Sequence, residues 1–122
     1  MSTAGMPPDA LIELRDALRC FTAEREWGVF HTPKNLAMAL SGEVGELIEH
    51  FQWLSAEQSA SLPPTVREEV ALEMADVLLY LVRLADVLEI DLAESARRKM
   101  DINARRYPVE RARGRADKYD RL

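Results

Sequence analysis

The sequence predicts an all-α protein, folded as an antiparallel four-helix bundle. Its 122 residues include only 5 glycines and 6 prolines, while the strong helix formers Leu, Ala, Glu and Arg are abundant. The alternation of apolar and polar residues that is typical of β-strands is absent along the chain. Four segments instead carry apolar residues at helical spacing, and the short connections between them favour antiparallel neighbours.

The first two predicted helices flank a loop that contains aromatic residues. The second helix is predicted over residues 33–54, because Thr32 followed by Pro33 is a favourable helix start after the break at Gly28. The first helix is predicted over residues 9–24, where an apolar stripe is formed by Leu11, Leu14, Leu18 and Phe21.

The third and fourth predicted helices follow a polar connection. The third is expected over residues 65–88, since Thr65 and Glu68 have the spacing of a capping box. It is apolar over most of its circumference, which predicts a central helix that is covered on all sides. The fourth is expected over residues 91–106, with a second capping signal at Asp91.

The charges divide the chain into an acidic body and a basic end. Residues 1–96 contain 6 Lys and Arg against 17 Asp and Glu, whereas residues 97–122 contain 10 against 4. We expect a helical domain over residues 1–108 and a loose basic tail over residues 109–122. The acidic body argues against duplex nucleic acid as a partner, because it would repel the phosphate backbone. The basic end is either a solvated tail or an electropositive element for a polyphosphate.

Cysteine usage and hydropathy favour a cytoplasmic location. Cys20 is the only cysteine, so the chain cannot form an internal disulfide, which suits a reducing compartment. The first residues lack the apolar segment of a signal peptide, and no apolar run approaches the roughly 18–20 residues that span a bilayer. We therefore expect no membrane partner.

Two acidic pairs interrupt the apolar stretches: Glu43 with Glu46, and Glu73 with Asp76. Residues three apart lie on the same face of a helix, so each pair offers two neighbouring carboxylates, and two packed helices bring four together. Clustered carboxylates need cations or protons, and oxygen-only ligands suit Mg²⁺, with Mn²⁺ as a possible substitute. Zinc and redox iron are disfavoured, because the chain has only two histidines and neither follows a glutamate by three. Solvent-facing charges on amphipathic helices are the alternative interpretation.

Two further sets of side chains suit a nucleotide. The fourth helix carries Lys99, Asn103 and Arg106 on one face, which is suited to clamping phosphate oxygens or is an ordinary polar helix end. Aromatic side chains near the acidic pairs suit stacking on a base, although core packing is their usual role. These are Trp27, Phe30, His31, Phe51, Trp53 and Tyr80.

Four further segments have the pattern of a known family: residues 24–36 (EREWGVFHTPKNL), 42–53 (GEVGEL followed by FQW), 69–81 (EVALEMADVLLYL) and 99–108 (KMDINARRYP). Together they resemble the MazG-like all-α nucleotide pyrophosphohydrolases, and most closely their dCTP pyrophosphatase branch. The resemblance spans about residues 10–108. Some eukaryotic members carry a histidine at the position of Leu18.

The resemblance implies hydrolysis of a nucleoside triphosphate to the monophosphate and pyrophosphate in nucleotide pool sanitation, with dCTP or a modified dCTP as the expected substrate. It implies a dimer or tetramer with sites shared between subunits. It assigns the Mg²⁺ ligands to Glu43, Glu46, Glu73 and Asp76, the base and sugar contacts to Trp27, His31, Trp53 and Tyr80, and phosphate contacts to Lys99 and Asn103.

For this reaction we expect the general base to be a carboxylate of the four that does not bind metal, with Glu46 as the choice. The metals and Lys99 are expected to neutralise charge on the leaving pyrophosphate. Two alternatives stay open on the sequence. One is a pyrophosphatase for dUTP or another noncanonical nucleotide. The other is a non-catalytic helical module that binds nucleotides or a protein partner.

Overall fold

The computed structural model describes residues 9–122, and all of its regular elements are helical. The all-α prediction is therefore confirmed for this range. Residues 1–8 lie outside the described residues. They include the start of the predicted 1–108 domain and most of the segment where a signal peptide would lie. The elements are α1 (Ala10–Glu24), α2 (Pro33–Glu49), α3 (Ala56–Ser59), α4 (Pro64–Val87), α5 (Leu92–Arg106) and α6 (Val109–Ala112), with 3₁₀ turns at Gly28–Phe30 and Tyr119–Arg121.

Two of the predicted helix starts are confirmed by their caps. The Thr32 side chain accepts the backbone N–H of Asn35 at 3.1 Å, and Pro33 occupies the first helical position of α2. The Asn35 amide in turn donates to the Phe30 carbonyl at 3.0 Å, which ties the aromatic loop to the start of α2. Asp91 caps α5 by accepting the backbone N–H three residues further on, at 3.0 Å.

The predicted capping box at Thr65 and Glu68 is wrong. Helix α4 begins one residue earlier, at Pro64, and its N-cap residue Pro63 makes no side-chain cap hydrogen bond. Proline has a fixed φ and lacks an N–H, so it is suited to the first helical position and sets the start here.

The end of α2 also differs from the prediction, because the helix stops at Glu49 and not at residue 54. A capping box that was not among the predictions from the sequence lies just beyond the end of α2. Ser55 accepts the backbone N–H of Gln58 at 3.1 Å, and the Gln58 side chain accepts the Ser55 N–H at 2.9 Å. Ser55 must be extended to make this cap, so α2 cannot continue through it.

Helix α4 packs against α2 and α1. Leu36 of α2 and Val70, Val82 and Ala85 of α4 are buried. The expectation that α4 is covered on all sides is wrong within this chain, since Leu72 is 60% exposed and Met74 is 57% exposed. The reason is geometric: α1 and α2 cover only part of the circumference of α4.

The chain divides into two compact units, one ending at Glu89 and the other spanning Ile90–Leu122. Glu89, at the boundary, adopts a φ of 56°, a left-handed conformation that is uncommon for a residue other than glycine. In the second unit the C-terminal residues carry α6 and a 3₁₀ turn. Tyr119 packs edge-to-face on Tyr107, with ring centroids 6.2 Å apart. The prediction of a loose tail is therefore wrong for these segments.

Within residues 9–122, no helix has the length and apolarity that a membrane crossing requires.

Candidate active site

Carboxylates from α2 and α4 converge where these two helices pack. Glu43 and Glu46 lie about one turn apart on α2, and Glu73 and Asp76 lie about one turn apart on α4. One carboxylate oxygen from each of Glu43, Glu73 and Asp76 lies within 4.8 Å of the other two. The structure thus brings together three of the four predicted acids within this distance.

The fourth acid, Glu46, lies beside this cluster. Glu46 is an exposed residue. After burial, which is the main cause, its carboxylate contributes to raising the pKa of both Glu43 and Glu73. Glu46 is therefore close enough to interact with both Glu43 and Glu73.

Burial and mutual repulsion disfavour the ionised forms of two of these acids. Burial, followed by hydrogen bonding and repulsion from Glu46 and by repulsion from Asp76, raises the pKa of Glu43 to about 7. Burial is also the main cause that raises the pKa of Glu73. The Oε2 atoms of Glu43 and Glu73 are shielded from water, and neither accepts a hydrogen bond from the described residues. Each of these oxygens needs a proton or a cation.

The residues present fit a divalent cation with a preference for oxygen ligands. The cluster consists of carboxylates alone within residues 9–122, and its two shielded oxygens are without a donor. The Nδ1 atom of His50 lies 3.9 Å from Glu69, a residue outside the cluster. Oxygen-only ligand sets suit Mg²⁺ or Mn²⁺ better than zinc.

A pocket of about 380 Å³ adjoins the acid cluster. Trp27 and His31 from the aromatic loop, together with Asp76 and Tyr80 from α4, line it. This volume lies within the usual range of small-molecule sites, about 300–1,000 Å³. Because Asp76 belongs to both the acid cluster and the pocket wall, the two features are adjacent parts of one site.

Aromatic rings form one side of this pocket. The Trp27 ring packs edge-to-face on Phe21 and on His31, with centroid separations of 5.7 Å and 6.3 Å. Such contacts hold a flat ring at a fixed angle, as base stacking requires. The structure thus brings Trp27, His31 and Tyr80 together, but it does not bring Trp53 into this pocket: Trp53 is 87% exposed.

The apolar stripe of α1 also lines this pocket. Leu14, Leu18 and Phe21 were predicted as an apolar face and are found in the pocket wall, with Phe21 44% exposed. An apolar stripe that lines a pocket has the same spacing as one that packs in a core, so sequence alone could not separate them. Leu18 thus lies in the pocket wall.

Arg83 is a pocket residue that the sequence did not indicate. Arg83 lines the pocket, and its Nε donates a hydrogen bond to Nδ1 of His31 at 3.1 Å. Asp86 lies 3.5 Å from Arg83 and accepts two hydrogen bonds from Arg19 of α1, at 2.6 and 2.8 Å. The only sequence signal was the i, i+3 spacing of Arg83 and Asp86, which is common on helix surfaces.

The predicted phosphate ligands lie on α5, in the second unit. Lys99 is exposed and Asn103 is half-buried. The Arg106 guanidinium lies over the Tyr119 ring, with its Cζ atom 4.7 Å from the ring centroid. The phosphate-binding role of these three residues stays a prediction.

Comparisons with known proteins agree with these features. The sequence pattern of the MazG-like family matches residues 38–122. Mouse dCTP pyrophosphatase 1 is 46% identical over 118 residues, which are 95% of this chain and 69% of the mouse protein. The bovine protein of the same name is 50% identical over 104 residues, 84% of this chain and 62% of its own length. A crystal structure of a pyrophosphatase from Archaeoglobus fulgidus is 47% identical, with a TM-score of 0.76 over 80% of this chain and 92% of that chain.

The raised pKa of Glu43 predicts a pH-dependent effect of one substitution on the metal-free chain. The pKa of Glu43 is about 7 in the folded chain against an ordinary value of 4.5, so between these pH values the folded state holds a proton that the unfolded state has lost. The free energy of unfolding therefore falls as the pH rises through this range. Glu43→Gln removes this loss of stability. Its stabilising effect in EDTA should grow from about pH 4.5 to pH 7 and level off above, as measured by urea unfolding. The control is Glu68→Gln, an exposed acid of α4, whose effect should not vary in this way. An effect of Glu43→Gln that shrinks with rising pH would contradict a raised pKa of Glu43 in the folded chain.

Proposed function

The chain belongs to the MazG-like family, and we propose on that premise that it is a divalent-metal-dependent nucleoside triphosphate pyrophosphohydrolase. Such an enzyme converts a nucleoside triphosphate to the monophosphate and pyrophosphate. The observation that carries the proposal is the position of Asp76, which lies in the carboxylate cluster and in the wall of the aromatic pocket. A triphosphate near the acids and a base in the pocket would therefore occupy adjacent parts of one site.

The proposed substrate is dCTP or a modified dCTP, and the proposed role is sanitation of the nucleotide pool. Its support is that the mouse, bovine and human relatives, at 46–50% identity, are dCTP pyrophosphatases. Further support is that the pocket, with a volume of about 380 Å³, is lined by Trp27 and Tyr80, whose rings could stack on a nucleobase.

Glu43, Glu73 and Asp76, with Glu46 beside them, would hold the divalent cation, with Mg²⁺ preferred over Mn²⁺. When bound, the cation would polarise the phosphate oxygens and lower the pKa of a nearby water. Glu46 is the proposed general base, because it is exposed at the cluster and can take the proton of the attacking water. Water oxygen bonds to the α-phosphorus, the bond to the bridging oxygen breaks, and pyrophosphate leaves.

The α5 residues complete the proposed chemistry. Lys99 would neutralise charge on the leaving pyrophosphate, and Asn103 and Arg106 would bind phosphate oxygens. Trp53, exposed and outside the pocket, would contact the base or sugar in a site completed by a neighbouring subunit.

We propose a homo-oligomer, a dimer or a tetramer. Its support is the apolar surface that the isolated chain leaves in water, including Leu72 at 60% exposure and Met74 at 57%. Sedimentation equilibrium at micromolar concentration should give two or four times the chain mass of 13.8 kDa. A mass of 13.8 kDa under these conditions would contradict the proposal.

Substitutions in the acid cluster test the chemistry. Glu43→Gln, Glu73→Gln and Asp76→Asn should each lower kcat/KM for pyrophosphate release by at least about 100-fold, because the cation supplies several kcal/mol of transition-state stabilisation. EDTA should abolish turnover and added Mg²⁺ should restore it. Glu68→Gln, the exposed control on α4, should stay within about twofold of wild type. Wild-type rates in the Glu43 and Asp76 variants would refute this assignment.

A substrate panel tests the choice of nucleotide. We expect the highest kcat/KM for dCTP or 5-modified dCTP among the canonical and noncanonical nucleoside triphosphates, with pyrophosphate as the product. A clear preference for dUTP would replace the substrate and keep the chemistry. Tight nucleotide binding by calorimetry without any pyrophosphate release would instead favour a non-catalytic binding module.

A further inference from the structure

The hydrogen bond between Arg83 and His31 determines what His31 can offer a ligand. Arg83 donates from Nε to Nδ1 of His31 at 3.1 Å, and both residues line the pocket. A guanidinium is always a donor, so the Nδ1 atom of His31 must be the acceptor and carry no proton. The remaining ring nitrogen, Nε2, then carries the single proton of the neutral ring.

The surroundings of His31 keep its ring neutral. Burial, and then the positive charge of Arg83, lower the pKa of His31. Within residues 9–122, no protein group accepts a hydrogen bond from Nε2 of His31, whose ring also contacts Trp27 edge-to-face. This N–H is thus without an acceptor among the described residues, on a side chain that lines the pocket.

A second layer of charges holds Arg83 in place. A carboxylate oxygen of Asp86 lies 3.5 Å from the Nη1 atom of Arg83, and the Asp86 side chain is only 10% exposed. Asp86 is itself held by two hydrogen bonds from Arg19, which fix its carboxylate plane from α1. Asp86 therefore holds the guanidinium of Arg83 at Nη1, while the Nε–H of the same group points at the His31 ring.

We propose that Arg83 is a positioning residue, which fixes His31 as a neutral Nε2–H donor for an acceptor atom of the nucleoside in the pocket. This inference rests on the proposed function, since it assigns a nucleoside to the pocket. Arg83 acts through its hydrogen bond to His31, and its positive charge does not itself bind the nucleoside.

Two substitutions of matched length separate the hydrogen bond from the charge. Gln places its amide nitrogen the same number of bonds from Cα as the Nε of Arg, so Arg83→Gln removes the charge and keeps a donor for His31. Met has the same chain length without a donor, so Arg83→Met removes both. Asp86 keeps its two hydrogen bonds from Arg19 in either variant.

Steady-state kinetics with dCTP give the first readout. We expect Arg83→Met to raise KM about 3- to 10-fold with kcat within about twofold, the effect of one hydrogen bond, and Arg83→Gln to stay within about twofold of wild type in both. Equal losses in the two variants would overturn the inference, because they would show that the charge of Arg83 is what matters. A wild-type KM in Arg83→Met would overturn it as well.

A spectroscopic readout depends neither on turnover nor on a substitution of Arg83. In the wild-type protein with ¹⁵N-labelled Arg and His, Nδ1 of His31 should carry no proton and should couple to Nε of Arg83 across the hydrogen bond. His50→Gln identifies the His31 signals, since these are the only two histidines. A protonated Nδ1 in the wild type would overturn the inference. If the wild type releases no pyrophosphate from any nucleotide, the proposed function fails; if it is active but Arg83→Met keeps its KM, this inference alone fails.

Discussion

The close approach of carboxylates between α2 and α4 is the constraint on which the site depends. Glu43 and Glu73 each have one oxygen shielded from water and without a donor, at the contact between two helices that also supplies much of the core. An arrangement of this kind lowers stability unless a proton or a cation is present. A bound cation would offset this repulsion, and the packing of α2 on α4 would then depend on the same group as the proposed chemistry.

Helix α4 connects the parts of this site. Glu73, Asp76, Tyr80 and Arg83 follow one another at spacings of three, four and three residues, which places them along one stripe of the helix. The stripe begins in the acid cluster, passes the pocket wall and ends at the ion pairs with Asp86. A helix of 24 residues therefore fixes the distance from the acid cluster to the pocket.

The apolar residues of the chain serve two purposes that their spacing does not distinguish. On α1, the stripe that contains Leu14 and Leu18 forms a pocket wall. On α4, Leu72 and Met74 lie in water in the isolated chain, which is the surface that the proposed oligomer would cover. A pattern of hydrophobicity records that a side chain prefers to leave water, but not whether a core, a ligand or another subunit receives it.

The helical class, two of the helix caps and the acidic pairs could be predicted from the sequence, because these depend on local spacing along one helix. Thr32 and Asp91 cap as their spacing predicts, whereas Pro64 overrides the weaker signal at Thr65. Only the tertiary structure decided which side chains from different elements meet. It placed Asp76 in both the cluster and the pocket, left Trp53 outside that pocket, and joined Arg83 to a histidine 52 residues away. Contacts across such distances follow from how helices pack, and a single sequence carries no local signal for them.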